Sequence, residues 1–403
     1  MTPPLLIRNA RVLRLDAGPR RGRDAMNDLR SLDACDVLVR DGVIAQVGPG
    51  LTAHGDAEEL HAAGRVLIPG FVDCHTHACW AGERYDEWAM RQAGATYLEL
   101  LEAGGGIMST VRAVRAATLE ELTSSLVERL NVMLAGGTTT LEVKSGYGLT
   151  TEDELKMLRA IANAATQWQG TVVSTACIGH AVDPEASDPI ETTISETLPA
   201  VVAEFPGITI DAYCERAAWS LEDSVRLFER ARELGCPCRV HTDQFNELGM
   251  TAAAIEKGFV SVDHLEASGP ETIRAVAESE TAAVVLPCSG FHTDQRYADG
   301  RALIDSGATV AIATNCNPGS SPCYSLPLAA GLAVRCNGLT PAESISAITT
   351  NAASVLGLSD RGYIDQGARA DLVLLRHTHE TALTHDLGGR HIDAVFLQGE
   401  RVV

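Results

Sequence analysis

Two histidines one residue apart, His75 and His77, end the apolar run Leu67-Ile68-Pro69-Gly70-Phe71-Val72-Asp73-Cys74. Alternate residues of a strand share a face, so both imidazoles can be aimed at one point. Borderline-soft cations such as Zn²⁺ favour imidazole ligands. His-x-His alone is weak evidence for a metal, since core histidines also occur in pairs, so the rest of the chain has to decide.

The elements that would position these residues follow from the pattern of the middle of the chain. Strands are expected over 67–77, 138–144, 171–178, 208–215, 238–243, 260–265, 282–287 and 309–314. Helical patterns lie between and after them, over 119–135, 152–167, 221–234, 270–279 and 341–357. Capping boxes are read at Thr118/Glu121, Thr151/Glu154 and Thr340/Glu343. Strands alternating with helices in this way give an α/β fold, a (β/α)8 TIM-like barrel over residues 67–367. A doubly wound sheet is the competing architecture, but no GxGxxG follows the first strand, and Gly104-Gly105-Gly106 lacks the spacing of a nucleotide loop. Short strands at both ends of the chain, 1–66 and 368–403, are expected to combine into one small β-sandwich domain. The charged stretch Arg20–Arg30 reads as a mobile loop.

Chemistry in such a barrel gathers at the C-terminal ends of the strands. Five of the twelve histidines fall there: His75, His77, His180, His241 and His264. His75, His77 and His241 would supply three nitrogens and leave an open position for water, as catalytic zinc sites require. Such an ion lowers the pKa of its water to about 7. His264 can relay a proton or polarise a carbonyl. Asp263 and Glu266 can orient neighbouring histidines. Lys144 reads equally as a salt-bridged structural lysine or as a catalytic one.

Fifty-three acidic against 32 basic residues give a formal charge of −21, which repels phosphate backbones and argues against nucleic acid as a partner. An anionic small-molecule substrate would need its own local cation. The eleven cysteines show no paired CxxC pattern and read as buried free thiols. Met1-Thr2-Pro3-Pro4 lacks the features of a signal peptide, and no apolar run reaches the roughly 18 residues of a membrane span. A soluble, cytoplasmic protein with no membrane partner is expected.

Several stretches together carry a resemblance. Pro69-Gly70-Phe71-Val72-Asp73-Cys74-His75-Thr76-His77 is similar to the metal-dependent amidohydrolase superfamily. The resemblance is closest to the imidazolonepropionase family. It rests on Ala81-Gly82-Glu83-Arg84, Gly104-Gly105-Gly106-Ile107-Met108-Ser109-Thr110-Val111, and Leu141-Glu142-Val143-Lys144-Ser145-Gly146-Tyr147-Gly148-Leu149, whose block from Lys144 to Leu149 is the more specific. Further on it continues through His180-Ala181-Val182, Val262-Asp263-His264-Leu265-Glu266 and Asn317-Pro318-Gly319-Ser320-Ser321-Pro322. The resemblance implies hydrolysis of 4-imidazolone-5-propanoate to N-formimidoyl-L-glutamate with one divalent metal ion, zinc or iron, in a homodimer. It implies His75, His77 and His241 as ligands, and Arg84, Tyr147, His180 and Gln244 as substrate contacts. Asn317, Gly319 and Ser320 would form the loop that holds substrate or product. His264, Gln244 and Asn315 would stand at the catalytic positions, with Asn315 also at the fourth ligand position.

Asn315 departs from the family, which carries an aspartate there as ligand and proton acceptor. Asparagine keeps a ligating oxygen but has no charge and no useful basicity. Three explanations stand: a substitution that traps substrate, a variant using another base such as His264, or an inactive site. Pro287-Cys288-Ser289-Gly290-Phe291-His292 also departs from the family's aromatic-rich run. A related amidohydrolase acting on another small cyclic amide or amine, and a silent metal- or ligand-binding protein, are the alternatives.

Overall fold

The computed structural model describes residues 3–52, 57–95, 104–216 and 218–403. Its N-terminal strands are β1 (Leu5–Leu13), β2 (Ser31–Arg40), β3 (Val43–Gly48), β4 (Glu58–His61) and β5 (Val66–Pro69). The middle of the chain contributes β6 (Phe71–Asp73), β7 (Thr138–Lys144), β8 (Thr171–Gly179), β9 (Thr209–Ala212), β10 (Arg239–Thr242), β11 (Ser261–His264), β12 (Ala282–Val285) and β13 (Val310–Ile312). The C-terminus adds β14 (Leu372–Leu375), β15 (Ile392–Leu397) and β16 (Glu400–Arg401).

Both termini enter one eight-stranded sheet ordered β16-β15-β14-β5-β1-β2-β3, with β4 also paired to β1. Its core is built from the inward residues of both ends, among them Ile7, Val37, Ile44, Leu67, Leu372 and Phe396. The β2–β3 hairpin turns on Asp41-Gly42, and both residues have the positive φ that a tight two-residue hairpin demands.

β6 to β9 and β10 to β13 form two four-stranded parallel sheets. Parallel bridges Ile210↔Cys238 and Tyr213↔His241 join the first sheet to the second, and Thr76↔Cys316 joins the last strand end back to the first. The eight strands therefore close in a TIM-like arrangement. Most of their residues are buried, and apolar side chains alternate along them with buried polar ones, among them Glu142, Lys144, Asp211, Arg239 and Asp263. The connecting helices include Leu119–Ala135, Thr151–Gln167, Leu221–Glu233 and Pro270–Ala277. Among the described residues no helix is long and apolar enough to cross a membrane.

Four expectations change. The strand expected over 67–77 divides at Gly70: Val66–Pro69 pairs with β1 and β14 in the terminal sheet, and only Phe71–Asp73 enters the barrel. A Cβ at Gly70 would stand 2.2 Å from Thr139 Oγ1, so the crossing between the two sheets requires glycine. The helix before Gln167 is capped by Thr150, which accepts from the Asp153 N–H, and not by Thr151. Glu154 instead turns inward and accepts from the Gly148 and Leu149 N–H groups. The boxes at Thr118/Glu121 and Thr340/Glu343 are both formed. The helix expected over 341–357 is two, Pro341–Ala347 and Thr350–Val355.

Arg20–Arg30 is not a loose loop. It holds a helix, Gly22–Asn27, with Met26 buried, and the Arg20 guanidinium donates to the Ala25 and Asp28 carbonyls. Buried Asn351 clamps this segment to the barrel. Its side-chain oxygen accepts from the Arg20 N–H (2.7 Å), and its nitrogen donates to the carbonyls of Arg20 (3.0 Å) and Val310 (2.8 Å). Replacing Asn351 by Ala leaves buried backbone groups unpaired at about 1–3 kcal/mol each. The expected result is a lower melting temperature and faster amide exchange over residues 20–28, measured by hydrogen–deuterium exchange.

Candidate metal centre and active-site cavity

The closure of the barrel sets the site. The Asn315 N–H donates to the His75 carbonyl (3.0 Å) and the His77 N–H to the Cys316 carbonyl (2.9 Å), so the chain after β6 is stitched to the chain after β13. Buried Asp73 reinforces the seam by accepting from the Thr314 N–H and hydroxyl. Burial pushes its carboxyl up to about 7, against the lowering effect of those two donors.

His75, His77 and His241 are buried, and their ligand atoms lie within 4.8 Å of one another. Each ring has a defined outlook. His75 Nδ1 is 2.6 Å from Asp263 and His241 Nδ1 is 3.0 Å from Asp211. A carboxylate only accepts, so each Nδ1 carries the proton and each Nε2 keeps a lone pair for a cation. His77 Nε2 faces His241 Nε2 at 3.0 Å, and His75 Nε2 has no hydrogen-bond partner.

Burial holds all three imidazoles below their ordinary pKa, helped at His75 by the Lys144 charge and at His77 by His180 and His241. At His241 Asp211 opposes that shift. Neutral rings are the form that ligates.

Beneath the rings lies a charged layer. Lys144 Nζ donates to Glu142 and Asp211, each at 2.7 Å. Arg239 donates to Asp263 and to the Cys74 carbonyl. Burial and Arg239 alone would discharge Lys144, but Asp211, Glu142 and Asp263 outweigh them and keep it an ammonium. For Asp211, burial would raise the carboxyl, yet His241 and Lys144 hold it well below the usual range. Two buried cations against three buried carboxylates leave a negative balance under three neutral imidazoles. The donor set thus fits a divalent cation.

Of the ligand, substrate-contact and catalytic candidates named in the sequence, all except His75 line one cavity of about 670 Å³: His77, Arg84, Tyr147, His180, His241, Gln244, His264, Asn315, Asn317, Gly319 and Ser320; Lys144, Asp263 and Glu266 lie outside its lining. His75 sits behind this wall, fully buried. His180 donates from Nδ1 to the Gly146 carbonyl (2.9 Å), and burial drops its pKa to about 3. His264 is held by Glu266 at 3.0 Å through Nδ1 and has a φ of 89°, a strained conformation for a non-glycine residue. Asn315 donates to Ser289 Oγ (2.8 Å), which leaves its oxygen buried and unpaired. Asn317 organises the loop: its oxygen accepts from the N–H groups of Gly319 and Ser320, and its nitrogen donates to the Asn315 carbonyl.

Several groups at the site had no place in the sequence reading. Asp211 and Arg239 are remote in sequence from the rings they serve. Arg239 carried one signal, a charge inside an apolar strand, and Glu142 another, two residues from Lys144 on the same face. Glu87, which binds Arg84 through two nitrogens, stands three residues from it on a helix.

The Amidohydrolase family profile matches residues 66–402. The imidazolonepropionase of Deinococcus radiodurans is 44% identical, covering 96% of this chain and 96% of that protein. That of Chloroflexus aggregans is 41% identical, covering 99% and 98%. Among solved structures, a triazine hydrolase from Arthobacter aurescens matches with a TM-score of 0.78 at 18% identity over 100% of this chain and 95% of that one. A 5-methylcytosine deaminase from Klebsiella pneumoniae matches at 0.75 and 16% identity over 99% and 97%. These two share the fold, which by itself specifies no substrate. With the family profile and full-length relatives in agreement, the chain belongs to the amidohydrolase family and, within it, to the imidazolonepropionases.

Proposed function

We propose that this chain hydrolyses the ring amide of 4-imidazolone-5-propanoate to N-formimidoyl-L-glutamate. One divalent ion, zinc or iron, would be held by His75, His77 and His241 with the Asn315 oxygen beside them. The observation that carries the proposal is the meeting, in one cavity, of the imidazole cluster with the Arg84 guanidinium. The reading also takes the terminal sheet as a small β-sandwich domain beside the barrel, with the crossing at Gly70.

In this reading Arg84 receives the propionate, because a planar guanidinium matches a carboxylate. Tyr147, His180 and Gln244 bound the space for the ring. A divalent cation in the histidine cluster supplies Lewis acidity to water and to the ring carbonyl. The water oxygen adds to the carbonyl carbon, the ring C–N bond breaks, and the departing nitrogen takes up a proton. Asn315 has no basicity to take part in that transfer, so His264, oriented by Glu266, moves the proton. Asn315 also supports a second reading, a protein that binds metal and ligand but turns over little, since no carboxylate occupies its position.

Three variants separate these readings in steady-state assays with metal content measured alongside. Arg84→Ala is expected to raise KM for the propionate substrate about tenfold or more, with a smaller change in kcat, from the loss of a charge-assisted pair. His264→Ala is expected to lower kcat by about 10²–10⁴. Asn315→Asp is expected to raise kcat at unchanged metal content; no gain, with metal bound, favours the silent protein.

A further inference from the structure

The helix Tyr85–Gln92 buries none of its residues, so packing does not explain which of its faces turns inward. That face carries charge. Arg84, at the N-cap, Glu87 and Arg91 follow at spacings of three and four and form one row. The Glu87 side chain is only 9% exposed. Its carboxylate accepts from Arg84 Nε (2.9 Å) and Nη2 (2.5 Å), from Arg91 Nη2 (3.0 Å) and from the Gly106 N–H (2.8 Å). On its far side Arg84 lies against the bare Cα of Gly319, where a Cβ would stand 2.1 Å from Nη1. A second cavity, of about 370 Å³, shares Arg84, Glu87, Arg91 and Gly319 with the first, so the row forms a wall between them.

A single arginine bonded to a glutamate carboxylate is electrically neutral toward a ligand. Arg84 with Glu87 alone would therefore offer a carboxylate geometry but no net attraction, in a chain whose formal charge is −21. Arg91 changes the balance. Two guanidinia on one carboxylate leave the row with one net positive charge, enough for one carboxylate; of the other acidic residues lining the cavity, Asp294 pairs with Arg296 and Glu215 accepts from the Phe245 and Asn246 N–H groups. We propose that Arg91 is a specificity-determining residue: it restores the charge that Glu87 takes from Arg84, and so selects substrates bearing a single carboxylate. Glu87 is the positioning residue that fixes Arg84 against Gly319. This inference rests on the reading that Arg84 meets the substrate carboxylate.

The test compares kcat/KM for 4-imidazolone-5-propanoate with that for its uncharged carboxamide analogue, in wild type, Arg91→Met and the double variant Glu87→Gln/Arg91→Met. Arg91 is 30% exposed on a helix with no buried residue, so its replacement leaves the core intact. Arg91→Met is expected to lower the carboxylate-to-carboxamide ratio about tenfold, through KM rather than kcat. The double variant, which again carries one net positive charge, is expected to recover most of that ratio. A purely structural role for Arg91 predicts no recovery. An unchanged ratio in Arg91→Met, or no recovery in the double variant, would overturn this inference alone. Wild type without turnover of the propanoate would overturn the functional reading and this inference with it.

Discussion

The site depends on keeping three buried imidazoles neutral and correctly turned. Burial alone removes their protons, but it does not choose which nitrogen is left bare. At His75 and His241, Asp263 and Asp211 make that choice by accepting hydrogen bonds from the Nδ1–H groups. Buried carboxylates are costly unless paired, and Lys144 and Arg239 provide the pairing. The charged layer beneath the rings is thus a consequence of aiming the rings. Its stability value is secondary, since an ion pair in the core rarely exceeds a well-packed apolar substitute.

The same economy explains the seam between the first and last barrel strands. Backbone bonds from Asn315 to His75 and from His77 to Cys316 place the residue at 315 beside the histidine pair. The left-handed φ of Asn315, 52°, is one that asparagine adopts more readily than most side chains. In the proposed reading, recognition of the anion falls elsewhere, to a surface helix that contributes charges rather than packing. The histidine end and the arginine end of the cavity are therefore supported by different parts of the chain.

Much of this was legible in the sequence because periodicity and turn chemistry are local. The alternation of strands and helices and two capping boxes each depend on a few neighbouring residues. The histidines at strand ends were visible once the strands were placed. What failed was tertiary. The apolar run 67–77 has no sign at Gly70 that its two halves serve different sheets, because the reason is Thr139, far along the chain. Arg20–Arg30 looked mobile because its partners, Asn351 above all, are hundreds of residues away. Asp211 and Arg239 escaped notice for the same reason: a lone charge in a strand announces burial but not the ring it will meet.

The most direct test is metal content and hydrolysis of 4-imidazolone-5-propanoate measured on one purified sample. The account predicts one divalent ion per chain, lost together when His75, His77 or His241 is replaced, and measurable ring opening. A chain that binds no metal under any loading condition would contradict it, because the neutral, inward-aimed histidines would then have no partner.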